Sequence, residues 1–385
     1  MQEVYFYTGE VKHHFIDVDL LNRRLLHDYL IPKNLHFYYL ITPTFNVDTQ
    51  SLEDIFNNIV IDNVILKQIY NKKCTILIDI SVEPISTKNQ INAFINLLEL
   101  FGSRYKLSYS NFKVLTGNLI INQTIHNLNL RCEFIPYFFF YDFPQITIKN
   151  KNNGDWKNFI KYNRDLKGFD KKILCYNRRP KPHRKYLIYK ISNNEILNNN
   201  TKLSFINNKK IIDYTKKFNV SAEENILINN FINNKEDIKI DSYDYLEVSR
   251  RTDIDVIKST FLSLITESDI NEDILFISEK TFKPIYTCQP FIILGNTGTL
   301  NYLKEFGFKT FDKWWDESYD DEPNLTNRIH KILNVLEFIC NKSDEELLEI
   351  LNEMEEILLH NQNLLMQEKE LSFIKDLQKP KNSLI

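Results

Sequence analysis

The stretch 171–190 contains the densest set of residues able to bind an anion, with eight lysines and arginines and no acidic residue. Its apolar segment 173–176 predicts a buried strand, and a proline typical of a first helical turn follows soon after. Asn177 and Arg178 then fall at the carboxyl edge of a sheet, where α/β proteins bind ligands. A guanidinium there, with Arg184 in the next helix, suits a diphosphate. A solvated strand end and helix face would give the same composition.

A second set of polar residues follows another apolar strand. Glu267 comes directly after that strand, and Ser278 is placed to cap a helix whose first turn holds Glu279 and Lys280. A first-turn lysine and free backbone N–H groups would neutralise a leaving diphosphate, while a carboxylate would accept hydrogen bonds from two ribose hydroxyls. The structural interpretation is plainer: Glu279 is a favourable first-turn acid and Lys280 is its neighbour.

A proton acceptor is expected in the first half of the chain. The predicted strand running from Thr75 to Glu83 has two carboxylates towards its carboxyl end, so Glu83 is our first candidate for a general base, with Asp79 behind it. His14, together with His13, is the other candidate, because a neutral imidazole can take a proton near pH 7. Acids at strand ends are also common as turn or cap residues.

The elements that must position these groups alternate between strand and helix. Strands are predicted at 4–8, 35–42, 74–81, 112–117, 132–140, 172–176, 257–266 and 290–294. Helices are predicted at 51–70, 87–101, 182–191, 222–232, 278–287, 299–306, 325–340 and 343–365. Alternation of this kind indicates an α/β fold with parallel sheets. The polar stretch 149–155 predicts a linker. We therefore expect an N-terminal α/β domain at 1–150, a second at 156–342, a helical extension at 343–385, and a ligand cleft between the two domains.

Composition excludes several classes of protein. With 43% apolar and 26% charged residues among 385, the chain is unlike a disordered, collagenous or membrane-spanning protein. A formal charge of −3 gives no global positive field, so any anion site must be local. Five scattered cysteines fit buried thiols in a reducing compartment and neither a disulfide framework nor a zinc site. The start of the sequence lacks a signal-peptide pattern, so a cytoplasmic location is expected, without a membrane span.

Three separated elements carry a resemblance to a known family. The first is Glu267-Ser268, the second Phe276-Ile-Ser-Glu-Lys, and the third Gln289-Pro-Phe-Ile-Ile-Leu-Gly295. In this order they resemble the donor-binding signature of family 10 fucosyltransferases and related GT-B glycosyltransferases. The basic loop Asn177-Arg178-Arg179, with His183-Arg184, is similar to the arginine-bearing loop of their C-terminal domain. The resemblance covers about a third of the chain.

The resemblance implies a GT-B-like fold, in which two Rossmann-like domains face a cleft and C-terminal helices follow. It implies that Glu279 holds the ribose, that Lys280 and Arg178 hold the diphosphate, and that Glu267 lies near the donor sugar. Two departures concern the identity of the sugar. Ser278 stands where the family has threonine, and the insert 270–273 lengthens the preceding turn.

The function expected from these residues is an inverting, metal-independent transfer of fucose or a related sugar. The partners would be a nucleotide-diphosphate sugar and a glycan or other hydroxyl acceptor, with no cofactor. The triplets Asp17-Val-Asp19 and Asp253-Ile-Asp255 match a metal-binding box, but such triplets are frequent by chance among 51 acids. One alternative is a modified DNA base as acceptor, as in glucosylating enzymes of viruses. Another is a non-catalytic module that binds a phosphorylated partner or RNA.

Overall fold

Two separate parallel β-sheets organise the chain in the computed structural model, and this confirms the predicted α/β class. The structure describes residues 3–8, 30–42, 56–81, 88–125, 132–142, 158–164, 166–177, 179–240, 254–271, 274–367 and 371–378. The chain forms two compact units. Unit 1 comprises Met1–Ile146, Asp273–Phe276 and Glu368–Ile385, and unit 2 comprises Thr147–Glu272 and Ile277–Gln367.

The sheet of unit 1 has five parallel strands in chain order. They are β1 (Phe6–Thr8), β2 (Phe37–Ile41), β3 (Cys74–Ile80), β4 (Phe112–Thr116) and β5 (Glu133–Pro136). The helices of this unit include α1 (Asn63–Tyr70), α2 (Lys88–Arg104) and α3 (Ile121–Ile125). Strand β3 is buried along its whole length, as expected when both faces of a parallel sheet are covered. Ile76 and Ile78 pack into one apolar cluster, and Leu77 packs into a cluster on the other face.

The sheet of unit 2 has four parallel strands whose order in space differs from their order in the chain. In space they run β7 (Thr201–Phe205), β6 (Lys171–Asn177), β8 (Thr260–Thr266) and β9 (Phe291–Leu294). The first helices are α4 (Phe159–Arg164), α5 (Pro182–Ser192), α6 (Glu195–Asn200), α7 (Tyr214–Phe218), α8 (Ala222–Asn234) and α9 (Ile254–Lys258). They are followed by α10 (Glu279–Tyr286), α11 (Thr299–Glu305), α12 (Leu325–Cys340), α13 (Asp344–Glu353) and α14 (Glu355–Met366). A short helix α15 (Ile374–Leu377) belongs to unit 1.

The residues of the predicted extension 343–385 are divided between the two units. Its first part, through Gln367, belongs to unit 2, and the remainder belongs to unit 1. There the buried side chains of Phe373 and Leu377 join the apolar cluster that contains Leu77. These apolar side chains therefore pack on one face of the five-stranded sheet.

Two strand predictions in unit 2 differ from the structure. Strand β7 was not predicted, because it lies at the sheet edge, follows a run of asparagines and is only partly buried. Strand β8 begins at Thr260, later than predicted, because 254–258 is helical, with Asp255 in the first turn and Lys258 in the last. Within the described residues, the structure contains no helix of sufficient length and apolarity to cross a membrane.

Candidate functional site

The carboxyl edge of the unit 2 sheet is held together by Asn177, at the end of β6. The Thr266 hydroxyl, at the end of β8, donates to Asn177 Oδ1 at 2.6 Å. The Asn177 backbone N–H donates to Ser204 Oγ of β7 at 3.0 Å. Asn177 is fully buried, so in this structure it ties three strand ends together and is not accessible to a ligand.

Glu267 follows β8 directly and is also fully buried. Its Oε2 accepts from the Ser278 hydroxyl at 2.5 Å, and its Oε1 accepts from the Ser278 N–H at 3.1 Å and the Thr281 hydroxyl at 2.6 Å. The Ser268 N–H donates to Oε2 at 3.3 Å. Four protein donors therefore satisfy this carboxylate, and its role here is to fix the start of α10.

The first turn of α10 presents the accessible polar groups of the site. Ser278 is the N-cap, and its hydroxyl accepts from the Lys280 N–H. Lys280 Nζ lies 2.7 Å from Glu279 Oε1 and 3.1 Å from Ser268 Oγ. The Lys280 side chain is 28% exposed and that of Glu279 is 19% exposed, so both groups reach solvent at the positive end of the helix dipole.

The Glu279 carboxylate is stabilised in its charged form. Burial by itself would raise the pKa of Glu279, but the positive charges of Lys280 and Lys283 outweigh it and lower the pKa below the usual value. An ionised carboxylate beside an ammonium group can accept hydroxyl donors while the ammonium binds an anion.

Arg184 and His183, in the first turn of α5, contact the same strand end. Arg184 Nη2 donates to the backbone carbonyls of Thr266 at 2.7 Å and Glu267 at 3.1 Å. The nitrogen His183 Nε2 lies 3.0 Å from the Glu267 carbonyl and must donate to it, which places the proton on Nε2. Burial and then the charge of Arg184 hold the pKa of His183 well below its usual value, so this imidazole is neutral.

The structure brings most of the predicted donor-binding residues into one hydrogen-bonded cluster. Its members are Asn177, Arg184, Glu267, Ser278, Glu279 and Lys280. The first four are buried to 2% exposure or less, so they position the cluster, and only Glu279 and Lys280 are accessible. Arg178 lies outside the described residues.

Sequence reasoning did not assign roles to Thr281 and His183, which complete this cluster. The Thr281 hydroxyl binds Glu267, and its signal was a hydroxyl residue one helical turn after the cap. In the sequence, His183 is one residue of the basic loop, without a signal of its own. Its burial against a strand end depends on packing that the sequence pattern does not reveal.

The loop after β9 approaches Glu267 closely. A Cβ atom on Gly295 would lie 2.9 Å from Thr299 Oγ1 and 3.5 Å from Glu267 Cγ. The buried guanidinium of Arg328 donates to the Gly295 carbonyl at 2.5 Å, which fixes the loop. Asp320 Oδ2 accepts from the Leu300 N–H at 2.9 Å, so the start of α11 is capped by a buried acid. Together these contacts hold a third loop at the carboxyl edge.

Asp79 is the one base candidate that the structure describes, and it lies in unit 1. Its side chain is 2% exposed, and its Oδ1 accepts from the Ser81 hydroxyl at 2.6 Å and the Ser81 N–H at 3.0 Å. The other oxygen, Oδ2, is buried without a hydrogen-bond partner. Burial raises the pKa of Asp79 to about 6, although the bonds from Ser81 oppose this. Glu83 and His14 lie outside the described residues.

Metal-ligating side chains are not grouped in the described part of the chain. No three His, Cys, Asp or Glu side chains there come together in a way that could hold a metal ion. Of the four aspartates in the two Asp-x-Asp triplets, the structure describes Asp255 alone, in α9.

Comparisons with known proteins identify no family for this chain. No family model matches it, and no curated protein matches it. A solved structure, the N-terminal domain of Candida albicans trehalose-6-phosphate phosphatase, matches with a TM-score of 0.35 and 12% identity. The match covers 89% of this chain and 69% of that chain. A likeness this weak supports no inference about fold or function.

Proposed function

We propose that this protein is a glycosyltransferase that moves fucose or a related sugar from a nucleotide diphosphate to a hydroxyl acceptor, with inversion and without a metal ion. The observation that supports the proposal is the first turn of α10. There Glu279 and Lys280 are accessible side by side, on a helix start that the buried Glu267 fixes through Ser278. Paired acid and cation at this edge of a parallel sheet suit a nucleotide.

The leaving group is the part of the reaction for which this site is best suited. As the sugar departs, negative charge develops on the diphosphate, and a preorganised cation lowers the energy of that state. Lys280 supplies the cation, and its neighbours Ser268 and Glu279 hold the ammonium group within 3.1 Å. The N–H groups at the start of α10 add positive potential in the same place.

Glu279 would bind the ribose. Its Oε1 faces Lys280, and its ionised carboxylate has further acceptor capacity for hydroxyl donors. The ion pair with Lys280 fixes the carboxylate beside the proposed diphosphate position, as a nucleotide requires. Arg184 and Glu267 act through this pair and not on the ligand, because their side chains are buried.

The acceptor hydroxyl must lose a proton in an inverting reaction. Asp79 has a pKa of about 6, close to the operating range of a general base, but its carboxylate is 2% exposed, as buried as Arg184. Glu83 and His14 stay as predictions for the same role. A GT-B arrangement of the two α/β units is part of this proposal.

Titration of the full chain with a series of nucleoside diphosphates by calorimetry tests the proposal. We expect one nucleoside diphosphate to bind more tightly than the others, and its sugar conjugate to be hydrolysed slowly in the absence of acceptor. Absence of binding by every nucleoside diphosphate would remove the basis for a transferase.

A further inference from the structure

The positive charge of unit 2 is concentrated in one part of the chain. Residues 171–217 contain thirteen lysines and arginines and only two acids, Glu195 and Asp213, although the whole chain has a formal charge of −3. The site described above uses Lys280 and Arg184 and leaves most of these cations without a role. Their number exceeds what one diphosphate requires.

The sheet topology brings two basic loops to the same edge. Strands β6 and β7 are parallel neighbours, with Asn177 paired to Phe205 at their ends. The loop after β6 carries Lys181, and the loop after β7 carries Lys209 and Lys210. Because the carboxyl ends of parallel neighbours share one edge, the two loops lie side by side. In the sequence they are separated by the predicted helix α5 and by α6 and β7, which the sequence patterns did not predict.

A buried lysine fixes the second loop against α5. Lys185 is fully buried, and its Nζ donates to Asn208 Oδ1 at 2.8 Å and to the Lys210 carbonyl at 3.1 Å. The hydrogen bond from Lys185 therefore fixes the backbone of the loop at Lys210. Lys217 lies in α7, whose Tyr214 and Phe218 rings pack against Tyr186 of α5, so α7 lies beside the helix that begins after Lys181.

These lysines are accessible and lack counter-charges. Among the described residues, the side chains of Lys181, Lys209, Lys210 and Lys217 form no ion pair with a carboxylate, and all four are exposed. Their neighbour Lys216 is the exception, since it lies 3.9 Å from Asp213. Four unpaired cations of one sign create a positive field that a polyanion would neutralise.

The chemistry of this surface favours a phosphodiester chain over a membrane. A membrane-binding surface needs a broad apolar face beside its cations. In the segment 206–218, Ile211 is the one large apolar side chain with high exposure, at 73%. The other exposed residues of this segment are Asn208, four lysines and Asp213, and Asp213 is paired with Lys216. Lysines and amides are typical contacts to phosphate and sugar in nucleic-acid complexes.

We infer that this basic edge, formed by Lys181, Lys209, Lys210 and Lys217, binds the phosphodiester backbone of a nucleic acid. Under the proposed function, that nucleic acid would be the molecule that carries the acceptor hydroxyl. The acceptor role rests on the proposed function, whereas the binding does not. Lys280 lies outside the basic edge as defined, so the two ligands can be tested separately.

Fluorescence anisotropy with the full chain and labelled oligonucleotides, in duplex DNA, single-stranded DNA and RNA arms, tests the inference. We expect affinity to fall steeply between about 50 and 200 mM salt, because each neutralised phosphate releases counterions. The variant Lys209→Glu/Lys210→Glu should lose on the order of tenfold or more in oligonucleotide affinity at low salt. Lys217→Glu, on a different element, should lose affinity in the same direction.

The matched control is Lys72→Glu/Lys73→Glu in unit 1. It changes the same charge in an adjacent lysine pair, and Lys72, like Lys209, has a positive φ, at 58° and 49° respectively. This control should keep oligonucleotide affinity. An equal loss in the control, or no salt-dependent binding in any arm, would overturn the inference. Tight binding to phosphatidylserine vesicles that Lys209→Glu/Lys210→Glu abolishes, without oligonucleotide binding, would assign the surface to a membrane instead.

Two further results separate this inference from the proposed function. Lys280→Ala should weaken nucleoside diphosphate binding and leave oligonucleotide binding intact, while Lys209→Glu/Lys210→Glu should do the reverse. Oligonucleotide binding without any nucleoside diphosphate binding supports the inference and removes the transferase, leaving a nucleic-acid-binding module. Nucleoside diphosphate binding without oligonucleotide binding would overturn the inference and leave the proposed transferase in place.

Discussion

The carboxylate of Glu267 accepts both the hydroxyl of Ser278, at 2.5 Å, and its backbone N–H, at 3.1 Å. One buried carboxylate thereby accepts hydrogen bonds from polar groups at the helix start that water would otherwise accept. It also fixes the first turn of α10 relative to the end of β8. Since Glu279 and Lys280 lie in that turn, the geometry of the accessible pair depends on a residue that does not itself reach solvent.

The pairing of Glu267 and Ser278 predicts strong energetic coupling. Glu267→Gln places an amide among donors and leaves buried N–H and O–H groups unsatisfied, at a cost of about 1–3 kcal/mol in the free energy of unfolding. Ser278→Ala removes the cap and should cost about 0.5–2 kcal/mol. In chemical denaturation the double variant should lose less than the sum of the two, because both changes remove the same contact. Additive losses would contradict the pairing.

Lys280→Ala should weaken binding of the preferred nucleoside diphosphate by about ten- to a hundredfold, since a charged hydrogen bond contributes roughly 1.5–3 kcal/mol. Calorimetric titration measures this directly. Lys331→Ala is the control, because Lys331 is also a partly exposed lysine, paired with Glu322 at 3.5 Å in another part of unit 2. Equal affinities in Lys280→Ala and wild type would contradict a role for this ammonium group in binding.

The raised pKa of Asp79 predicts that the stability of the chain falls as the pH rises. Its pKa is raised from an ordinary value of 3.8 to about 6, so the folded chain holds this proton more tightly than the unfolded chain does. The contribution of Asp79 to stability is therefore largest below about pH 4 and is lost as the pH rises through about 6, by roughly 2–3 kcal/mol. Urea midpoints measured over this range should fall less with pH in Asp79→Asn than in wild type.

Asp320 provides an internal comparison for that experiment. Burial likewise raises the pKa of Asp320 to about 6, but its carboxylate caps α11, so Asp320→Asn should also weaken the cap. Asp79→Asn is the cleaner test because its Oδ2 has no partner to lose. Parallel pH profiles for Asp79→Asn and wild type would show that Asp79 does not titrate in this window.

Gly117→Ala should destabilise unit 1 by about 1–3 kcal/mol, as overpacking of a filled interior does. A Cβ atom there would lie 2.3 Å from the Ser81 carbonyl oxygen and 2.8 Å from the Phe276 ring. Gly102→Ala is the comparison, because its nearest atom, the Leu107 carbonyl oxygen, would be 3.1 Å away. The loss at Gly102 should be the smaller of the two by thermal or urea denaturation. The reverse order would contradict the packing described around Gly117.

Local signals in the sequence determined much of the fold. Ser278 and Ser343 cap the predicted helices, and the helix 325–340 has the predicted bounds. The predicted helix 343–365 is interrupted at Met354, where α13 ends and α14 begins. Caps and apolar periodicity act between residues a few positions apart, so they are readable without knowledge of the fold.

The sequence by itself therefore determined the α/β class and the placement of Glu279 and Lys280 in the first turn of a helix. Only the tertiary structure decided that Asn177 and Glu267 are buried supports, and that Lys209 and Lys210 lie beside the loop that carries Lys181. Which residues are buried, and which loops lie next to each other, depend on the strand order β7-β6-β8-β9, which differs from the order of the strands in the chain. Contacts such as that between Thr266 and Asn177 join residues 89 positions apart, and no local pattern encodes them.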